Sequence, residues 1–307
     1  MTYFVYILLN NIVPLSLMIA AGIALGRIFK LDIKTLSKLN FYLFAPCIMF
    51  LMLFESAISL AVMLQVLLFF CIFFIGMFVL TEIVIRIRRY KGGMKSAMRN
   101  SVIFYNSANY AIPLNQLVFV NDPFTLSIQI IIMMMQSLLP NTYGIYSVNA
   151  HRQKLKDTLK TIASMPTIYI IPLALCMRWL HIPVPGPIYV TINYVGDGFI
   201  ATALLTLGVQ LGSMKWSLRL ADIMISNALR LCIGPLLGFG LVLALGITGD
   251  MAKALVLSCA VPTSLNSVLL AVEFDNEPEF ASQAVFSSTV FSIFTVTFVI
   301  YLLQYVG

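Results

Sequence analysis

Ten runs of about twenty predominantly apolar residues follow one another with little between them. They lie near 4–27, 37–54, 58–85, 97–120, 124–149, 166–182, 188–212, 222–247, 251–273 and 279–305. A run of that length spans the hydrocarbon core of a bilayer when helical, so the chain is expected to be an all-α polytopic membrane protein with ten transmembrane helices. Composition agrees: 60% of the 307 residues are hydrophobic, 10% are charged, and the mean hydropathy is +0.96. Lipid must solvate most of that surface, which excludes a soluble domain of this size. The Met1 end has neither a basic stretch nor a small-residue cleavage site, so the first run reads as a retained helix. The segment INYVGDGFI opens the seventh run either as interface or as span.

A net charge of +7 and a pI near 9.2 raise the question of nucleic acid. Placing the amino terminus outside puts sixteen of the nineteen basic residues in cytoplasmic loops, from Arg27, Lys30, Lys34 and Lys38 to Lys215 and Arg219. Arg178 and Lys253 fall outside, and Arg230 falls within a span. This is the positive-inside bias, and it accounts for the basic character without nucleic acid. Ten spans then leave both termini outside, in what reads as a prokaryotic cytoplasmic membrane. Cys47, Cys71, Cys176, Cys232 and Cys259 stand singly in apolar segments and read as small core residues. His151 and His181 are singletons, no metal or other cofactor is implied, and no HExxH, GxSxG or phosphate-loop motif marks an enzyme.

Two stretches are unlike the rest: FYNSANYAIPLNQ, with Pro113, in the fourth run, and CAVPTSLNS, with Pro262, in the ninth. The prolines are 149 residues apart, close to half the chain, so residues 1–150 and 151–307 each hold five spans with a polar, proline-broken helix fourth in order. Five is odd, so the second half enters the membrane upside down: a 5+5 inverted repeat with broken, crossing helices 4 and 9, as in many secondary transporters. The halves are joined by the basic linker HRQKLKDTLK. Proline removes a helix N–H, here freeing the carbonyls of Asn109 and Ser258, and such freed groups are tolerated in a membrane only when buried in protein or lining a wet cavity. A helix restarting after the break points its positive end into the gap, which suits an anion. Asn106, Asn109, Asn115, Thr263, Ser264 and Asn266 supply the polar side chains, with Pro113 and Pro262 holding the breaks.

These segments also resemble the auxin efflux carrier family. FYNSANYAIP is similar to that family's fourth-helix motif, an asparagine seven residues before a proline, here Asn106 and Pro113. AVPTSLNSVLLAVEFDNEPEFASQAVFSSTVFSIFT resembles its ninth and tenth helices, including the acidic position Glu273. LTLGVQL and ALRLCIGPLLG resemble its seventh and eighth. The family often has glycine where this chain has Ala108 and Ala111, which tolerate less unwinding. The resemblance implies the ten-helix fold of bile-acid sodium symporters, with a scaffold of spans 1, 2, 6 and 7 and a transport domain of spans 3–5 and 8–10. It implies elevator-type alternating access and an organic anion substrate such as malate, malonate or an auxin-like acid.

Other polar residues keep two readings. Arg230 either attracts the anion, pairs with a carboxylate or caps carbonyls. Asp197 sits at the outer end of the seventh span or in the interface; Glu82 and Glu273 snorkel or pair near the cytoplasmic ends, with proton coupling the other role for Glu273. Gln129, Gln136 and Asn141 line the site or join helices. No carboxylate falls at the crossing, so protons or simple uniport are expected over sodium, with a sodium-coupled symporter of the bile-acid type the rival. A receptor that binds the same anion without moving it is the other class, and a homodimer is left open.

Overall fold

The computed structural model describes residues 3–56, 58–144, 147, 163–214 and 220–305. The linker at 151–160 and the basic residues Arg152, Lys154, Lys156, Lys160, Lys215 and Arg219 lie outside the described residues. Among the described residues the protein is all helical, with no strand beyond one isolated bridge.

Seven helices are long and apolar enough to cross a membrane. They are α1 (Phe4–Phe29), α2 (Ile33–Glu55), α3 (Leu60–Arg88), α6 (Pro123–Gly144), α8 (Gly186–Gly212), α9 (Ala221–Ala244) and α12 (Pro278–Leu303). The expected fourth span is two shorter helices, α4 (Gly92–Ile103) and α5 (Ala111–Val118). The expected ninth is likewise α10 (Gly249–Cys259) and α11 (Asn266–Glu273). The expected sixth is the 13-residue α7 (Thr167–Trp179); at 1.5 Å per residue it is about 20 Å long, short of a full bilayer core. INYVGDGFI falls inside α8, helical from Gly186 onward.

Helix starts follow ordinary capping chemistry. Asp32 accepts from the backbone N–H groups of Lys34 and Thr35 at the start of α2, and the Thr35 hydroxyl and amide hold its carboxyl below the usual carboxylate range. Ser59 caps α3 and Asp122 caps α6, where Pro123 takes the first position and has no N–H to satisfy.

Inside the helices, π-type turns cover Leu8–Ile12, Asn40–Phe44 and Leu229–Ile233, and each ends two residues before a proline: Pro14, Pro46 and Pro235. A proline ring presses on the carbonyl of the preceding turn, and widening that turn relieves the clash while keeping the helix continuous. Two of these bulges carry Asn40 and Arg230, both buried.

The helices associate as two groups. α1 packs along α8, and α2 packs against α7 and the first part of α8. The remainder, α3–α6 and α9–α12, pack mainly on one another, with α2–α6 and α1–α12 contacts joining the groups. The α1–α8 seam is backbone on backbone at Gly22 and Gly208: a Cβ on Gly208 would lie 2.1 Å from the Ile19 carbonyl oxygen and 2.8 Å from the Gly22 Cα. Small residues permit such an approach, which is how membrane helices gain dispersion energy that lipid cannot supply. Gly208→Leu is therefore expected to cost about 1–3 kcal/mol of overpacking, seen as a lowered melting temperature of the purified protein. Gly240→Ala, where an added Cβ meets nothing within 4 Å, should leave it unchanged or raise it.

Candidate functional site

The two interruptions meet. α4 ends where Phe104 turns extended (φ −87°, ψ 110°) and α10 ends at Cys259. Beyond those ends the chains run side by side: the Asn106 N–H donates to the Pro262 carbonyl at 2.8 Å, and the Ser264 N–H donates to the Phe104 carbonyl at 2.8 Å. Tyr105 and Thr263 thereby form an isolated antiparallel bridge. Two unwound segments solve together a problem neither solves alone, because backbone groups with no water to bind must find partners in protein.

The bridge leaves the last carbonyls of α4 and α10 to be satisfied, and the side chain of the bridge residue Thr263 and side chains from two other helices do it. The Thr263 hydroxyl donates to the Ser101 carbonyl at 2.8 Å, and Gln136 of α6 donates to that of Ile103 at 3.2 Å. Arg230 of α9 serves both helices: Nε donates to the Val261 carbonyl at 3.1 Å, Nη1 to that of Val102 at 3.3 Å, and Nη2 to that of Cys259. Its side chain is fully buried, with the guanidinium 4.6 Å from the Tyr105 ring centroid and 5.7 Å from that of Phe73. No carboxylate pairs with it among its described contacts; its counter-charge is the negative end of two helix dipoles and the faces of two rings. Of the roles open to Arg230 in the sequence, carbonyl capping is the one the geometry displays. Gly234 and Gly238 let α9 approach, since a Cβ at Gly234 would lie 3.0 Å from the Cys259 carbonyl oxygen and one at Gly238 2.9 Å from the Cys259 Cβ.

On the other side of the bridge, where α5 and α11 restart, lies a cavity of about 460 Å³. Asn106, Asn109, Ser264 and Asn266 form its wall at the breaks. Gln136 and Ser137 of α6 flank them, and Lys38 and Asn40 of α2 and Gln210 of α8 also line it. Between these polar groups the lining is apolar: Phe41, Met133, Phe199 and Leu265 among others. A second space of about 420 Å³ shares Gln210, Leu265 and Leu269 with the first and continues to Met214 and Glu279, near the end of the molecule that carries the short loops before α2 and α12. Positive helix ends, four polar side chains and an apolar belt can together hold a small anion with an organic body.

The remaining residues singled out in the sequence lie elsewhere. Asn115 is fully buried and tied to α6, donating to the Thr125 carbonyl at 3.3 Å and accepting from the Thr125 hydroxyl at 3.2 Å. Pro113 is the third residue of α5, past the break rather than in it. Pro262 and Thr263 build the bridge, with the Thr263 N–H bound to the Ser288 hydroxyl at 3.1 Å. Gln129 donates to the Ser107 carbonyl at 3.0 Å, joining helices. Glu82 pairs with Arg99, and Asp197 is exposed, away from the cavity. Glu273 ends α11, and its side chain, like that of Asn141, is outside the described residues. The sequence reading passed over Lys38, Asn40 and Gln210. The available signal for the last two was the presence of amides within apolar runs.

Residues 152–300 match the family model described as membrane transport protein. A protein of the archaeon Methanothermobacter thermautotrophicus, named an uncharacterized transporter, is 26% identical over 102 residues, which is 33% of this chain and 34% of the relative. The chain thus aligns with about a third of that relative's length.

Replacing Arg230 by Met leaves three buried carbonyls without their donor, each worth about 1–3 kcal/mol. The variant should lose most of its folded yield, and Arg230→Lys should recover only part, because an ammonium cannot match the planar fork. Thermal unfolding of the detergent-purified variants measures both.

Proposed function

We propose, from the match of residues 152–300 to the membrane transport protein model and from the geometry of the crossing, that the chain is a secondary carrier of organic carboxylates. The carrying observation is the joined pair of helix breaks with its adjoining polar cavity, since broken helices meeting mid-chain are how such carriers bind solutes. In this reading α4 with α5 and α10 with α11 each make one span, giving ten spans in two inverted halves, 1–150 and 151–307, with both termini outside. Asn106, Asn109, Ser264 and Asn266 contact the substrate. Pro113, Asn115, Pro262 and Thr263 hold the shape of the crossing around them.

The same reading makes α1, α2, α7 and α8 a scaffold and α3–α6 with α9–α12 a transport domain that moves past it as an elevator. Support comes from the grouping of helix contacts and from the cavity, which takes residues from both groups. The connected space toward Met214 and Glu279 lies on the side of the loops rich in lysine and arginine, so this conformation is open to the cytoplasm. Sodium is not required in this scheme. Oxygens at the helix ends that a cation would bind already accept from Arg230, and among the described residues lining the cavity there is no carboxylate or imidazole.

Proteoliposomes given radiolabelled mono- and dicarboxylates test the proposal. Saturable uptake is expected, unchanged when choline replaces sodium and reduced at least about tenfold in Asn106→Ala and Asn266→Ala through lost hydrogen bonds to a charged group. The melting temperature of both variants should stay near that of the parent. Uptake that survives both substitutions removes the site assignment; binding without flux points to a receptor.

A further inference from the structure

The cavity has a second polar wall that the breaks do not supply. It is made by α2 and α8, which belong to the other helix group, and it faces the space from Lys38, Asn40 and Gln210. The two amides there are committed to different degrees. Asn40 spends its N–H donors on the Thr202 carbonyl at 3.1 Å and the Thr206 hydroxyl at 2.7 Å, and Gln210 donates to the Ser37 hydroxyl at 3.2 Å. The Thr206 hydroxyl gives its own hydrogen to the Thr202 carbonyl at 2.6 Å, so it must accept from Asn40, which fixes that amide's orientation. Each amide keeps an oxygen with no partner, and an oxygen repels a carboxylate. Among the described residues on this wall Lys38 carries the only charge, beside neutral donors in the Ser37 and Tyr42 hydroxyls and the second N–H of Gln210.

Lys38 is the one charged side chain lining the cavity among the described residues. Lys34, one turn earlier on the same helix, and Lys30 before it do not line it. The general role of basic residues at span ends is to anchor in the interface, and Lys34 and Lys30 are free to do that. Lys38 is set apart because it borders the same space as Asn106, Asn109, Ser264 and Asn266, which Phe41, Met133 and Phe199 also line.

We propose that Lys38 is a specificity-determining residue that pairs with a second anionic group on the substrate, selecting short dicarboxylates over monocarboxylates of the same length. This rests on the carboxylate-carrier reading of the site. One carboxylate occupies the breaks with Asn106 and Asn266, the carbon chain crosses the apolar belt, and the second carboxylate meets the ammonium. The pair spans the two helix groups, so Lys38 strengthens binding only while the cavity is open in this conformation.

The test is a set of binding isotherms for butyrate and succinate at fixed sodium and ionic strength, on the full chain purified as parent, Lys38→Gln, Lys38→Arg and Asn106→Ala. The parent should bind succinate about threefold to fivefold more tightly than butyrate, the size of one ion pair made by an exposed lysine. Lys38→Gln should bring that ratio near one by weakening succinate alone, Lys38→Arg should keep most of it, and Asn106→Ala should weaken both acids. A ratio unchanged in Lys38→Gln, or an equal loss for both acids, overturns the role of Lys38 and leaves the carrier reading standing. A parent that binds neither acid overturns both.

Discussion

Arg230 sits where two helices stop in the middle of the protein, and its guanidinium donates to carbonyls from both of them. Stopping a helix in a membrane exposes backbone acceptors to a medium with nothing to donate, so each stop needs a dedicated donor. One planar fork with five N–H groups meets that need for two helix ends at once, and its positive charge lies at the negative ends of both dipoles. Burying a lone guanidinium would otherwise be prohibitive. Here the carbonyls and the faces of Tyr105 and Phe73 stand in for a counter-ion.

The polarity of the site follows from that arrangement. With the two C-terminal ends neutralised on one side of the bridge, the N-terminal ends of α5 and α11 remain on the other, beside Asn109 and Asn266. Helix N-termini favour negative charge without any charged residue at the breaks, which is what the proposed carboxylate site requires. Arg230 does not line the cavity. It keeps the stops in place, so a fully buried cation and the proposed anion site can share one crossing without sharing atoms.

Much of this was legible in the sequence because polar residues in apolar runs are costly and conspicuous. Asn106, Asn109, Ser264 and Asn266 were found on that signal, and the structure brings all four to one cavity wall. The same signal misplaced emphasis at Asn115, whose partner Thr125 lies across a turn that no spacing rule identifies. Proline position was a partial guide. Pro262 lies in its break, whereas Pro113 sits inside α5 and the α4 stop is made by the extended Phe104. Pro14, Pro46 and Pro235 were not read as structural at all, although each follows a widened turn, because a π bulge leaves hydropathy unchanged. Lys38 was counted with the basic loops, whereas the structure places it in the first turns of α2, and hydropathy carries no information on which face of a helix end borders a cavity.

The distribution of bonds bears on how such a site moves. Every contact that seals the crossing stays inside the α3–α6 and α9–α12 group: Arg230 and Thr263 to the helix ends, Gln136 to Ile103, and the Ser292 hydroxyl to that of Tyr110 at 2.9 Å. The bonds of Asn40 and Gln210 stay inside the other group, which the Gly22–Gly208 seam also locks. Between the groups, the Ser127 hydroxyl reaches the Met52 carbonyl at 3.0 Å while also holding the Pro123 carbonyl at 2.7 Å, so it keeps a partner if the first is lost. Displacing one group against the other leaves the caps of the broken helices intact. For the proposed elevator this is the decisive requirement, since a movement that uncapped buried carbonyls would cost more than a small solute's binding can return.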